Sequence, residues 1–234
     1  MGFPTRTPWI VAASLAVAYL LTPSTALAGD PRTVLIERFD PAPDGSGGSD
    51  TLFDGFDDGF LNDAGEVAFQ ADLVNGYDGL YRTDGATTVQ IARRANPVAT
   101  GGGGEFFTYF LNAPFAINDA GEIAFLAEFQ DAGGTFIGQG LWVGDGSGLV
   151  EVARWGDAAP DGNGTFDDLG QFRFNDRGQI AFEGSLEGTA GGLDDDNGIF
   201  LGDGNGLVQV AREGYAAPGP GDPTFSSFSS LQIN

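Results

Sequence analysis

From Val34 onward, apolar and polar residues alternate over runs of about five, and Gly, Asp, Asn or Pro bounds almost every run. Alternation at period two with turn residues at each end is the pattern of short half-buried strands. In one stretch the runs predict strands at Leu149 to Arg154, Gln171 to Phe174, Gln179 to Leu186 and Gly198 to Gly202. No window sustains the i, i+3, i+4, i+7 spacing of a helix, and glycine interrupts nearly every candidate. The predicted body is all-β.

The alternation is itself repeated. NDAGEVAF begins at Asn62, NDAGEIAF at Asn118 and NDRGQIAF at Asn175, so the copies lie 56 and 57 residues apart. Two further series keep step with them. VQIAR, VEVAR and VQVAR end at Arg93, Arg154 and Arg212; GLYRTDG, GLWVGDG and GIFLGDG begin at Gly79, Gly140 and Gly198. Self-similarity at a fixed period is the signature of a tandem-repeat architecture. The repeats are read as about 34–87, 88–148, 149–206 and a partial copy over 207–234, within one β-repeat domain from 29 to 234. Asn234, preceded by Leu231-Gln232-Ile233, is the first letter of another motif, and the expectation is that the chain is cut short.

Each motif has a mechanical reading. Asn62, Asn118 and Asn175 suit the first position of a tight turn, and Gly65, Gly121 and Gly178 suit a later position with positive φ. Past this corner, Val67 and Phe69 point to one face of a strand and Ala68 to the other. Ile123, Phe125 and Ala124 repeat that arrangement, as do Ile180, Phe182 and Ala181. One bulky and one small face suit a sheet covered on both sides. Asp84, Asp145 and Asp203 open Asp-Gly hairpin turns. Four antiparallel strands in tandem are the pattern of β-propeller blades, although common blades have roughly 40 to 50 residues. A row of small sandwiches and a β-solenoid are the competing architectures. About three and a half blades would leave edge strands exposed and the chain marginal or aggregation-prone when expressed alone.

Before the repeats, Arg6 precedes an apolar run from Trp9 to Leu21, followed by Pro23 and the small-residue triplet Ala26-Leu27-Ala28. That order reads as a secretory signal over residues 1–28, cut after Ala28. The run is short of the roughly 20 apolar residues of a membrane span. With no cysteine, the exported chain relies on burial and not on disulfides.

Composition removes many chemistries. All ten basic residues are Arg, against 33 Asp and Glu, for a net charge of −23, and His and Cys are absent. This excludes a Ser-His-Asp triad, a cysteine nucleophile, a Schiff-base or P-loop lysine and an ordinary zinc site. It also disfavours nucleic acid, whose phosphates need clustered cations.

The thrice-repeated N-x-x-G-x-x-A-F signature resembles the secreted bacterial tandem-repeat proteins named for that motif, which end in one of several alternative anchoring signals. Asn62, Gly65, Ala68 and Phe69 match it, as do Asn118, Gly121, Ala124 and Phe125, and Asn175, Gly178, Ala181 and Phe182. The resemblance implies export and surface display and supplies no catalytic residue.

Acidic loops are the remaining candidates for chemistry. Asp161, Asn163, Thr165 and Asp167 place an oxygen at every second residue, as calcium loops do, without the terminal Glu of an EF-hand. Asp194 to Asp196 form a second cluster, and Asp54, Asp57 and Asp58 a third. Glycoside hydrolysis needs only a pair of carboxylates, for which Glu128, Glu183 and Glu187 are the least turn-like candidates. Trp142 and Trp155 are candidates for stacking on sugars, although Trp142 falls on a predicted strand. Arg93, Arg154 and Arg212 each end a strand and suit pairing with a carboxylate, and Arg38 is read as the same position in the opening repeat. The leading expectation is a non-enzymatic, exported β-repeat module for binding or display at the bacterial cell surface, its extracellular ligand unspecified, with carbohydrate and protein as the candidate classes. The alternative is a carboxylate-dependent carbohydrate-active propeller.

Overall fold

The computed structural model describes residues 19–20, 33–98, 105–109, 114–221 and 223–234. The signal-peptide reading lies outside these residues except for β1 (Tyr19–Leu20), which pairs antiparallel with β2 (Thr33–Val34). The body is all-β and antiparallel. Its first sheet has the order β3 (Pro41–Pro43), β4 (Ser49–Leu61), β5 (Val67–Leu73), β6 (Asp78–Thr83), β7 (Thr88–Arg93). In the second, β10 (Ile123–Asp131) pairs with β8 (Glu105–Tyr109) and β9 (Phe115–Ile117) on one side, and β11 (Phe136–Gly144) and β12 (Leu149–Arg154) continue the other. The third runs β13 (Thr165–Phe174), β14 (Ile180–Glu187), β15 (Asn197–Gly202), β16 (Leu207–Arg212). The sheets are offset from the repeat bounds read in sequence. The strand ending at Arg154 pairs with β11 and closes the second sheet, where the sequence placed it at the start of a new repeat.

Each sheet holds the same three rings. Phe69, Phe125 and Phe182, the last letters of the motif, lie 5.7, 5.9 and 5.6 Å from Tyr81, Trp142 and Phe200 on the next strand, at interplanar angles of 24°, 26° and 30°. A phenylalanine from the strand that pairs with the motif strand on its other side then meets that second ring edge-on: Phe53, Phe107 and Phe166, at 5.0, 5.1 and 4.8 Å. Burying such a ring contributes about 2–3 kcal/mol, and edge-to-face pairs add roughly 1 kcal/mol.

Bulk packs on smallness from sheet to sheet. Ile123, Phe125 and Trp142 of the second sheet share a core with Ala68, Ile91 and Ala92 of the first. Ile180, Phe182 and Phe200 of the third share another with Ala124, Leu141 and Ala153 of the second. The Asp-Gly turns fit this stacking closely. A Cβ on Gly146 would lie 2.1 Å from Val89, and one on Gly204 2.0 Å from Val150, so only glycine lets these turns seat on the preceding sheet. Beyond the third sheet the pattern stops among the described residues: Ile91 is 6% exposed, whereas its counterpart Val210 is 59% exposed.

The motif asparagine ties one sheet to the next. Asn118 Oδ1 accepts the Glu122 and Ala120 N–H groups at 2.9 and 3.1 Å, which closes the corner. Gly121 has the left-handed φ of 78° that this corner requires. The side-chain amide is used twice. Asn118 Nδ2 donates to Glu122 Oε2 at 2.8 Å and to the backbone oxygen of Asn175 at 3.3 Å. Asn62 donates likewise to Asn118 at 2.9 Å, and Asn175 to Asn234 at 2.8 Å. A parallel series runs from the Asp63 N–H to Asp119 and from the Asp119 N–H to Asp176, at 2.8 and 2.9 Å.

Between sheets the chain turns through one left-handed residue, Phe39, Ala95, Gly156 or Gly214, at φ of 72°, 67°, 90° and 73°. The N–H of that residue donates to the backbone oxygen of Phe53, Phe107, Phe166 or Phe225. This fourfold alignment corrects the reading of Arg38. Counting back from Phe39 puts Glu37 at the position held by Arg93, Arg154 and Arg212.

Two outcomes follow. Asn118→Ala is expected to destabilise the protein by about 2–4 kcal/mol in urea denaturation, because it leaves buried backbone groups unpaired, whereas exposed Asn205→Ala changes stability by under about 0.5 kcal/mol. Ala95→Gly is expected to stabilise by about 0.5–1 kcal/mol, since relief of left-handed strain exceeds the added chain entropy.

Candidate functional site

The third sheet carries a pocket of about 240 Å³. Asp168 on β13, Glu183 and Ser185 on β14 and Asn197 on β15 form its floor, with Glu213 just past β16. Ser227 and Phe228, from the segment that follows, form the opposite wall. Strand alternation places Glu183 on the same face as Ala181. The equivalent position on the first sheet is Gln70, which is 2% exposed beneath the second sheet. Glu183 thus takes the position of a buried glutamine of the first sheet and lines the pocket.

Its polar groups are ordered by one another. The Ser185 hydroxyl donates to Asn197 Oδ1 at 3.0 Å, and Asn197 Nδ2 donates to Glu213 at 3.2 Å and to Asp196 at 2.7 Å. Gln139 of the second sheet donates to Asp168. Three carboxylates and no cation line the pocket, so it repels anions and offers acceptors to a ligand rich in O–H or N–H donors.

The calcium candidates lie elsewhere, within an ion-pair network. Arg212 is fully buried, and its guanidinium donates to Asp161 at 3.2 and 3.3 Å, to the Asp195 backbone oxygen at 2.7 Å and to the Asn163 backbone oxygen at 2.7 Å. The Tyr215 hydroxyl donates to Asp161 at 2.7 Å. Asn163 donates through Nδ2 to Asp195 at 2.8 Å and accepts the Ala190 N–H at 2.7 Å. Thr165 pairs with Glu187 in the β13–β14 ladder, and Asp167 is exposed. The oxygens of Asp161 and Asn163 are thus engaged by protein donors. Among the described residues no group of three or more Asp or Glu side chains is arranged to hold a metal.

The other arginines pair as their positions suggested: Arg93 with Asp50 at 2.7 Å and Arg154 with Glu105 at 3.0 Å, each with a carboxylate near the start of its own sheet. Of the second acidic cluster, Asp194 lies in a 3-10 turn (Gly192–Asp194) and Asp195 is buried. In the third, Asp54 pairs with Arg38. Burial, then the charges of Asp57, Asp78 and Asp54, raises the pKa of Asp72. Glu183 is the one glycosidase candidate that reaches the pocket, while Glu128 and Glu187 are exposed strand residues. Trp142 is fully buried, whereas Trp155 is 40% exposed.

The Arg212 network sets a pH response. Desolvation pushes the Asp161 carboxyl up, but the Asn163 N–H, the Tyr215 hydroxyl and the charge of Arg212 together hold it below its ordinary value. A depressed folded pKa contributes stability above the unfolded value of about 3.9, and this is lost as pH falls through the folded value. Asp161→Asn is therefore expected to cost about 1–3 kcal/mol at pH 7 and to flatten the loss of stability below about pH 4, as followed by thermal melting. A calcium titration of the same melt is expected to leave Tm unchanged. A calcium-dependent rise would show that the ion displaces these donors.

No curated protein and no solved structure matches the chain. A family model matches residues 28–214, which span all three sheets. The chain belongs to that family, described as a family of unknown function (DUF7453).

Proposed function

We propose that the protein is a non-enzymatic, exported β-repeat module that binds an extracellular ligand at the bacterial cell surface, with its three sheets acting as successive blades of a propeller. The observation that carries the reading is a division of labour. Asn62, Asn118 and Asn175 and the motif phenylalanines are spent on bonds and ring contacts inside the fold. The polar side chains of the pocket instead differ between repeats: Glu183 stands where the other copies have Gln70 and Leu126, and Asn197 where they have Asp78 and Gln139. Repetition supplies the scaffold and variation supplies the site. The propeller reading is supported by one bond type joining each sheet to the next and by bulk-on-small stacking. Export and display rest on the signal-like leader and on the resemblance carried by the motif.

A second reading, a carboxylate-dependent glycoside hydrolase, is favoured by Asp168, Glu183 and Glu213 lining one pocket. Screening polysaccharides for retention and for cleavage separates the two. A binding module retains a ligand without shortening it. Cleavage by the wild type, abolished in Glu183→Gln with folding intact, would replace the module with an enzyme.

A further inference from the structure

We infer that residues 225–234 are a docking edge for a β-strand supplied by a partner polypeptide, one that is extended, weakly charged and apolar at alternate positions, and that pairs antiparallel with this segment. The inference rests on the geometry of the repeat and is independent of what the carboxylate pocket holds.

The segment copies the strand that pairs with the motif strand in the first and third sheets. Phe225 precedes Asn234 by nine residues, as Phe53 precedes Asn62 and Phe166 precedes Asn175. The Phe225 N–H donates to the Tyr215 backbone oxygen at 3.0 Å, and its own oxygen accepts the Gly214 N–H at 2.9 Å. Phe53 makes the same two bonds with Asp40 and Phe39, and Phe166 makes them with Asp157 and Gly156. The rings agree as well. Phe225 and Phe228 lie 5.6 Å apart at 40°, and Phe53 and Phe56 lie 5.5 Å apart at 39°. The Asn234 backbone oxygen accepts the Asn175 amide as that of Asn118 accepts the Asn62 amide.

The missing part is the strand alongside. In the first sheet Phe53 faces Leu73 and Leu61 faces Val67; in the third, Phe166 faces Leu186 and Phe174 faces Ile180. Among the described residues no backbone hydrogen bond engages residues 226–233. Phe53 and Phe166 are 1% and 0% exposed, whereas Phe225, Phe228, Leu231 and Ile233 are only half-buried. A row of unpaired N–H and C=O groups beside half-covered apolar side chains is a template for strand addition.

The repeat itself names the occupant, because the same groups take a strand elsewhere in this chain. Transferring the register of the third sheet sets Ile233, Leu231 and Phe225 opposite the positions held there by Ile180, Phe182 and Leu186. A strand brings donors and acceptors at the spacing of the open edge and apolar side chains to the face that needs them. A sugar or acyl chain brings no such alternation. The net charge of −23 disfavours an acidic strand.

The test uses a fluorescent peptide of residues 175–186, which has one Arg against one Asp and one Glu, titrated with the full chain and followed by anisotropy. Saturable binding is expected, with hydrogen exchange of residues 226–233 slowed at least tenfold in the complex. Leu231→Asp in the protein, or methylation of alternate backbone nitrogens in the peptide, is expected to weaken binding at least tenfold. Val74→Asp, at an exposed apolar residue of the first sheet, is expected to leave it unchanged, and melting curves confirm that each variant is folded. Absence of saturable binding, or binding that the methylated peptide retains in full, overturns the inference. So does sedimentation showing a dimer that protects residues 226–233 without peptide and that Leu231→Asp dissociates, because the edge would then belong to a second copy of the chain.

Discussion

One carboxamide closes a turn and crosses to the next sheet. The oxygen of each motif asparagine satisfies the backbone of its own corner, and its nitrogen reaches a backbone oxygen 56, 57 or 59 residues away. Asn62, Asn118 and Asn175 are 7%, 3% and 6% exposed, so these groups have little access to water as an alternative partner. An unmade hydrogen bond there costs more than a surface one. The corner can form fully only when the neighbouring sheet is in place, which makes the local turn and the sheet-to-sheet spacing one structural event.

The rest of the packing is consistent with that spacing. Once the asparagines fix the approach of successive sheets, a bulky face must meet a small one, and Ala68 and Ala124 supply the small side. The Asp-Gly turns must then pass over Val89 and Val150 at a distance that excludes a Cβ. The third sheet also carries the pocket. Its small face bears exposed Val208 and Val210.

How much of this the sequence disclosed follows from the range of the interactions. The corner of Asn118 and Gly121 was legible because its bonds close within four residues. The alternation of Phe125 with Ala124 was legible because strand geometry has period two. The amide bond from Asn118 to Asn175 was not, since a turn-forming asparagine looks the same with or without a distant acceptor. The edge-on series Phe53, Phe107, Phe166 was also hidden, because unequal spacing and unrelated flanking residues disguise it. A period does not fix a phase, so the strand ending at Arg154 was read as opening a repeat when it closes a sheet. Arg38 was misaligned by one residue because the left-handed position that sets the register can be Phe, Ala or Gly. Of the chemical candidates, only Glu183 reaches the pocket, whose other walls come from Asp168, Asn197, Glu213 and Phe228, brought together by the fold and not by any motif.

The most direct measurement is hydrogen exchange of the asparagine side-chain amides by nuclear magnetic resonance. If the motif nitrogens bridge successive sheets, the Nδ2 protons of Asn62 and Asn118 exchange as slowly as the backbone amides of Phe125 and Phe182, while those of exposed Asn75 and Asn205 exchange at the rate of free peptide. Equal, rapid exchange at all four asparagines would contradict the account, because the corners would then be independent turns with no bond between sheets.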